Sequence, residues 1–303
     1  MRSLARAIID PGSFVRKRSK TVRSFYWKLA KLKNTLKNRK RRHVLSNIDK
    51  SHELGLINEE EGYLLLSDER TKKLTSKALQ EANQIIDNFD FSSNSSKDYL
   101  IPMLNQKNLT KESELYKLAI HPSLLISAGK YLGGIPVLVH ITVWYSPNTS
   151  DSEVSGSQLY HLDHEDLRQL KCFIYVDDVD DSSGPMTLIN ASNSEDIERK
   201  FNYNMKDDSS KRLSDSSLKN YESIKATGDK GTIFFVDTSR CFHYGSRAGD
   251  KPRKLITIQY LTPQAFVRKS YVKSSRSSNQ KSRLLSHLSS PNDTPVESLL
   301  LNF

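Results

Sequence analysis

The chain has 303 residues, 36% hydrophobic and 27% charged, and its 46 Lys and Arg outnumber 35 Asp and Glu for a net charge of +11. That length can bury one large core or two small ones, and the apolar share excludes a wholly disordered chain while leaving room for disordered ends. Only Cys172 and Cys241 are present, without a C-x-x-C spacing, which excludes a disulfide framework and a zinc knuckle.

The charge is unevenly placed. Residues 1–43 hold 15 Lys and Arg against the single acid Asp10, and residues 264–303 hold six basic residues against two acids. The 220 residues between them carry a net −7, so the positive charge belongs to the ends. No apolar run approaches the roughly 18–20 residues that a membrane span needs. The opening "MRSLARAIIDPGSF" breaks at Asp10-Pro11-Gly12 before a signal-peptide apolar region develops. A cytoplasmic, reducing location is expected, with peripheral attachment to a membrane as a variant of it.

Residues 1–43 read as a basic arm, amphipathic or disordered. Val22, Phe25, Leu29, Leu32 and Leu36 follow the spacing of one helix face, with Lys28, Lys31, Lys33 and Lys37 elsewhere on the barrel. Such an arm can pack on its own acidic domain, lie on an anionic membrane surface through residues 14–43, or contact nucleic acid. Nucleic acid ranks below the other two, because the negative domain implies no basic groove.

Residues 44–134 read as helical. "SDERTKKLTSKALQEANQIIDNF" starts at Ser67, with Arg70 where a capping box would place Glu or Gln, and carries Leu74, Leu79, Ala82, Ile85 and Ile86 at helical spacing. "LTKESELYKLAIHPSLLISAGKYLGG" offers Thr110 as an N-cap, a break at His121-Pro122 and an end at Gly133-Gly134.

Residues 135–263 change period. "VLVHITVWY", "KCFIYV", "MTLI", "TIFFVD" and "KLITIQYL" are short β-branched and aromatic runs between turn residues, which predicts a sandwich or barrel. In the first run, alternation groups Leu138, His140, Thr142 and Trp144 on one face and Val137, Val139, Ile141 and Val143 on the other. A polar insert over 191–229 has the length of a functional or mobile loop. The Ser- and Lys-rich tail, 264–303, is expected to be disordered until "VESLLLNF", which could dock.

No phosphate-loop, Rossmann, esterase or zincin motif occurs. What carries chemistry is "YHLDHED" at 160–166. On a strand, His161 and Asp163 project from the same face and can grip one metal ion from adjacent vertices. A solvated turn is the plainer reading of H-x-D alone. His243, eighty residues after Asp163, supplies the third ligand of a two-histidine, one-carboxylate set that suits non-haem Fe(II). Arg253 heads the next strand, where a guanidinium can pair with the distal carboxylate of a chelating 2-oxoacid. Arg247 is its rival but sits in a Gly-rich turn. His164, Glu165 and Asp166 read as bystanders and not ligands, with His164 on the opposite face in a solvent or substrate-loop role, and Cys241 as a buried, inert thiol.

These residues together, with "LKCFIYVDDVDDSSGP" at 170–185 and "YLGGIPVL" at 131–138, resemble the phytanoyl-CoA dioxygenase family of Fe(II)/2-oxoglutarate oxygenases over roughly residues 60–263. The resemblance implies a double-stranded β-helix, the jelly roll of cupins, with flanking helices and iron in its mouth. The domain is then 44–263, helical over 44–134 and jelly roll over 135–263. It further implies His161, Asp163 and His243 as catalytic metal ligands, Arg253 as the 2-oxoglutarate clamp, and cosubstrate contacts from Lys171 and from His140, Thr142 and Trp144. Fe(II), 2-oxoglutarate and O2 would be consumed in hydroxylating an unactivated C–H bond of a small-molecule or lipid-like substrate, releasing succinate and CO2. Related halogenases replace the carboxylate ligand by a small residue, so Asp163 favours hydroxylation, desaturation or cyclisation. Two other readings keep the fold: a jelly-roll binding protein without turnover, and a cupin-like metal enzyme that does not use 2-oxoglutarate.

Overall fold

The computed structural model describes residues 11–91, 99–147, 154, 156–203, 212–247, 249–267 and 285–303. Three helices open it: α1 (Pro11–Val15), α2 (Lys20–Lys33) and α3 (Thr35–Ser46). Strand β1 (Tyr63–Leu66) and helix α4 (Glu69–Asp87) follow, then β2 (Ile101–Pro102), α5 (Glu114–Ala119) and α6 (Pro122–Leu132). The remaining elements are β3 (Val137–Ser146), β4 (Gln169–Tyr175), β5 (Thr187–Leu188), α7 (Ala191–Lys200), α8 (Asp215–Leu218), β6 (Ile224–Lys225), β7 (Ile233–Val236), β8 (His243–Tyr244), β9 (Arg253–Leu261) and α9 (Pro295–Leu300).

The strands form two antiparallel sheets. The larger has the order β1-β7-β4-β9-β3-β2, and the smaller has the order β6-β5-β8. A bridge from His161 to His243 adds the segment around residue 161 beside β8, so the small sheet reads 161-β8-β5-β6. From β3 onward the chain crosses between the sheets, with β3, β4, β7 and β9 in one and 161, β5, β6 and β8 in the other. That winding is the double-stranded β-helix, and helices cover the outer face of the large sheet. The main core lies there: Leu79, Ala82 and Ile86 of α4 and Leu124, Leu125 and Ala128 of α6 pack against Ile141, Cys172, Phe235 and Ile258. A second cluster, including Phe173, Phe234, Leu188 and Leu255, fills the space between the sheets.

Several local expectations need correction. The segment 44–134 is not wholly helical, because β1 pairs with β7 and β2 with β3. Four residues are too few to declare a period, and Tyr63–Leu66 becomes a strand only because β7 offers it an edge. The N-cap of α4 is Asp68, whose carboxylate accepts from Thr71 N at 2.8 Å, while Thr71 Oγ1 accepts from Asp68 N at 3.0 Å. Ser113, not Thr110, precedes α5, and the break at His121-Pro122 is present. Gly133 ends α6 at φ 84°, a left-handed conformation that disfavours a side chain.

The boundary expected at residue 43 falls inside α3, and residues 11–43 are helical and folded onto the domain. Arg41 is buried, and its guanidinium donates to the carbonyls of Ile135 at 2.8 Å and Pro136 at 3.2 Å. Gln264 Nε2 donates to Asn38 Oδ1 at 2.9 Å. The insert 191–229 is likewise no plain loop. It contributes α7, whose Ile197 is buried, as well as α8 and strand β6. Its residues 204–211 lie outside the described residues. So do residues 268–284 of the tail, whereas α9 docks with Leu300 and Leu301 buried. Among the described residues no helix is long and apolar enough to cross a membrane.

Strand β3 departs from simple alternation. Its register with β9 shifts between Leu138 and His140, a β-bulge that turns Leu138 onto the core face with Ile141 and Val143. The expected grouping therefore fails at the start of the strand: Leu138 leaves the face of His140, Thr142 and Trp144, and Val137 and Val139 pack with Leu261 and Ala265 and not with Ile141 and Val143. Leu138→Ala should cost about 2–5 kcal/mol of stability in a denaturant titration, as deletion of a buried leucine side chain does.

Candidate metal centre

The backbone brings the two histidines together. His161 N donates to His243 O at 3.0 Å and His243 N to His161 O at 3.1 Å, the reciprocal pair of an antiparallel ladder. Residues so paired project their side chains from one face, and the two imidazole centroids lie 4.4 Å apart. Asp163 follows two residues after His161, held by its N–H on Thr238 O at 2.8 Å. Its carboxylate oxygens stand 4.0 Å from His161 Nε2 and 3.9 Å from His243 Nε2. One donor atom from each of the three side chains falls within 4.8 Å of the others, a spacing able to hold a metal ion.

The rings are aimed by their other nitrogens. His161 Nδ1 lies 2.9 Å from Leu159 O, and His243 Nδ1 lies 2.9 Å from Cys241 O. A carbonyl only accepts, so each Nδ1 carries the proton and each Nε2 keeps its lone pair for a ligand. Burial, reinforced by the neighbouring His243, pushes the His161 pKa down to about 3; burial also lowers that of His243. Both are therefore neutral donors at neutral pH. Burial works to raise the Asp163 carboxyl, but the Lys171 ammonium, 2.7 Å from Oδ2, together with His243 and His161 beside it, holds the group well below the usual carboxylate range.

The three side chains open on a cavity of about 950 Å³ that His140, Thr142 and Trp144 of β3, Lys171 of β4 and Arg253 of β9 also line. Arg253 is 4% exposed, and its Nη2 donates to Ser246 Oγ at 2.9 Å. Its Nε is buried without a partner, and among the described residues no carboxylate pairs with it. Burial lowers its pKa to about 10, with Tyr175 opposing the shift. Thr257 Oγ1 and Gln259 Nε2, further along the same face of β9, are also buried and unpartnered. A buried cation without its anion is unfavourable, so this wall suits an anionic ligand. Ser246 has φ 58°, a strained conformation for a non-glycine residue, and its carbonyl accepts from Gln158 Nε2 at 2.7 Å. Arg247 is committed elsewhere: it pairs with Asp215 at 2.7 Å and its guanidinium stacks 3.3 Å over the Tyr244 ring.

His164 and Asp166 are buried and not solvated, because α2 covers their turn. His164 is buried with Nδ1 2.9 Å from Arg23 Nη1, and it lines the cavity, as does Glu165. Arg23 in turn donates to Glu198 of α7 at 3.0 Å. Asp166 is fully buried and accepts from Thr262 N and Oγ1, both at 2.7 Å, and from Trp27 Nε1 at 2.9 Å. The Cys241 thiol is buried beside Glu61 O at 3.5 Å and does not line the cavity; burial, with Asp237 nearby, pushes its pKa well up, so it is inert. Among residues that sequence reasoning did not single out, Leu255, Thr257 and Gln259 line the cavity, and so do Phe173 and Tyr175. Alternation from Arg253 and from Lys171 was the signal that could have found them.

Fold and site together define a jelly-roll protein in which two histidines and one carboxylate are grouped closely enough to hold a metal ion, and a buried arginine faces the same cavity. No protein-family model and no characterised protein matches the chain by sequence. Among solved structures it is similar to the non-haem alpha-ketoglutarate-dependent epimerase SnoN from nogalamycin biosynthesis, at 15% identity over 73% of this chain and 83% of that one, with a TM-score of 0.48. It is also similar to iron-bound EctD from S. alaskensis, at 16% identity over 67% and 74% of the two chains and a TM-score of 0.49. A third similar structure is HygX from Streptomyces hygroscopicus with nickel and 2-oxoglutarate bound, at 14% identity over 69% and 88%, with a TM-score of 0.43.

Proposed function

We propose that the chain is an Fe(II)- and 2-oxoglutarate-dependent dioxygenase of the phytanoyl-CoA dioxygenase-like kind, hydroxylating a small-molecule or lipid-like substrate with release of succinate and CO2. The observation that carries this reading is a single cavity that holds both the His161, Asp163 and His243 donor atoms and the buried guanidinium of Arg253, which no acid among the described residues pairs with.

His161, Asp163 and His243 would hold the iron, since two neutral imidazoles and a carboxylate suit Fe(II) and leave positions for cosubstrate and O2. Arg253 would take the distal carboxylate of 2-oxoglutarate, with its fork matching a carboxylate edge. When bound, iron and 2-oxoglutarate supply the oxidative decarboxylation that drives oxygen insertion into a C–H bond. The chain supplies orientation and exclusion. Lys171 keeps Asp163 charged, the Leu159 and Cys241 carbonyls hold the ring tautomers, and Phe173, Met186, Phe234 and Leu255 give the cavity an apolar wall. That wall suits an apolar part of the substrate. Two buried free thiols suit a reducing, cytoplasmic setting.

Anaerobic addition of Fe(II) and then 2-oxoglutarate should produce a weak visible charge-transfer band, and admitting O2 should convert 2-oxoglutarate to succinate. A folded, iron-loaded protein that shows neither would sink the reading.

A further inference from the structure

We propose that α2 and the start of α3 dock the protein on an anionic lipid surface. The helix has two opposed faces. Its inner face is spent on the domain: Arg23 bonds His164 and Glu198, Trp27 bonds Asp166, and the Tyr26 ring packs on Phe266 at 6.1 Å. Its outer face carries Val22, Phe25, Leu29 and Leu32, continued by Leu36 of α3, and nothing in the described chain covers them. Phe25 is 66% exposed, Leu32 70% and Leu36 78%, so this is an unpartnered apolar stripe and not a set of grazing contacts.

Charge names the occupant. Lys28, Lys31, Lys33, Lys37, Arg39 and Lys40 are exposed beside the stripe, residues 11–46 contain no acid, and among the described residues no carboxylate pairs with these cations. Apolar side chains rimmed by lysines, on a helix lying flat on its domain, match a bilayer interface in which anionic headgroups meet the cations and acyl chains take the apolar stripe. A nucleic acid would use the cations but leave Phe25, Leu29, Leu32 and Leu36 facing water. The net negative remainder of the chain would be repelled by the same surface, which orients the protein arm-down.

The docked segment adjoins the cavity. Arg16, between α1 and α2, lines the cavity wall, and the inner face of α2 holds the turn carrying His164 and Asp166. Docking would therefore set the cavity at the lipid surface, a natural source for a substrate with an apolar part. This last step rests on the reaction proposed above; the docking itself does not.

The test is co-sedimentation of the full chain with vesicles of equal parts phosphatidylcholine and phosphatidylserine, and with pure phosphatidylcholine. Strong binding to the first alone, weakened by salt, is expected. Phe25→Ser with Leu32→Ser should weaken it by about thirtyfold or more, from two lost apolar insertions. Lys28→Glu with Lys33→Glu should weaken it by more than about tenfold. All four residues are exposed, so unchanged thermal melts and unchanged anaerobic Fe(II) binding should accompany the loss. Binding to neither vesicle, or equally to both, would overturn the proposal. So would duplex-DNA binding that outcompetes vesicles and ignores Phe25→Ser, or a vesicle-free dimer that the serine variants abolish.

Discussion

His243→Ala is expected to abolish stoichiometric Fe(II) binding while leaving the fold standing. The ladder bonds between residues 161 and 243 are main-chain bonds, so truncating the imidazole removes a ligand without unpairing β8. Even loss of a group that only orients a ligand typically costs about 10–100-fold in metal affinity, so loss of the ligand itself should exceed that range. Anaerobic titration of bound iron, beside a thermal melt, measures both quantities. His164→Ala is the matched control. His164 lines the same cavity, but its Nδ1 is engaged by Arg23, so its loss should leave iron stoichiometry intact. If His164→Ala empties the site and His243→Ala does not, the ligand assignment is wrong.

Arg253→Met should separate iron from cosubstrate. Iron binding is expected to persist, because Arg253 touches none of the three ligand side chains among its described bonds. Affinity for 2-oxoglutarate should fall steeply, since removing one member of a buried, hydrogen-bonded charge pair costs about 2–5 kcal/mol, roughly thirtyfold to several thousandfold. The apoprotein should melt no lower than wild type, because a buried guanidinium without an anion is itself unfavourable. Excess 2-oxoglutarate should raise the Tm of the wild-type protein and not that of the variant. Arg253→Lys should fall between them, keeping charge but losing the fork. An unchanged 2-oxoglutarate affinity in Arg253→Met would assign the buried arginine to some other anion.

Much of the site was legible because strand alternation is local. H-x-D put His161 and Asp163 on one face before any partner was known, and Arg253 at a strand head was already distinguishable from Arg247 in its turn. The same alternation, continued from Arg253, would have reached Leu255, Thr257 and Gln259. It failed at Leu138, because a β-bulge is set by the register against β9 and leaves no mark in a run of β-branched residues.

Other features lay beyond local reading. His164 and Asp166 look solvated in sequence, and are buried because a helix some 140 residues earlier in the chain lies over them with Arg23 and Trp27. Tyr63–Leu66 is a strand only because β7 leaves an edge for it.

By itself, then, the sequence determined which residue types could ligate metal and that His161 and Asp163 would share a face, because period-two alternation needs no partner. The tertiary structure alone decided that His161 and His243 are ladder neighbours, that Arg253 is buried with no acid paired to it among the described residues, and that the apolar face of α2 points outward. Those are statements about which surfaces meet, and burial and pairing depend on the whole chain's packing and not on any one segment.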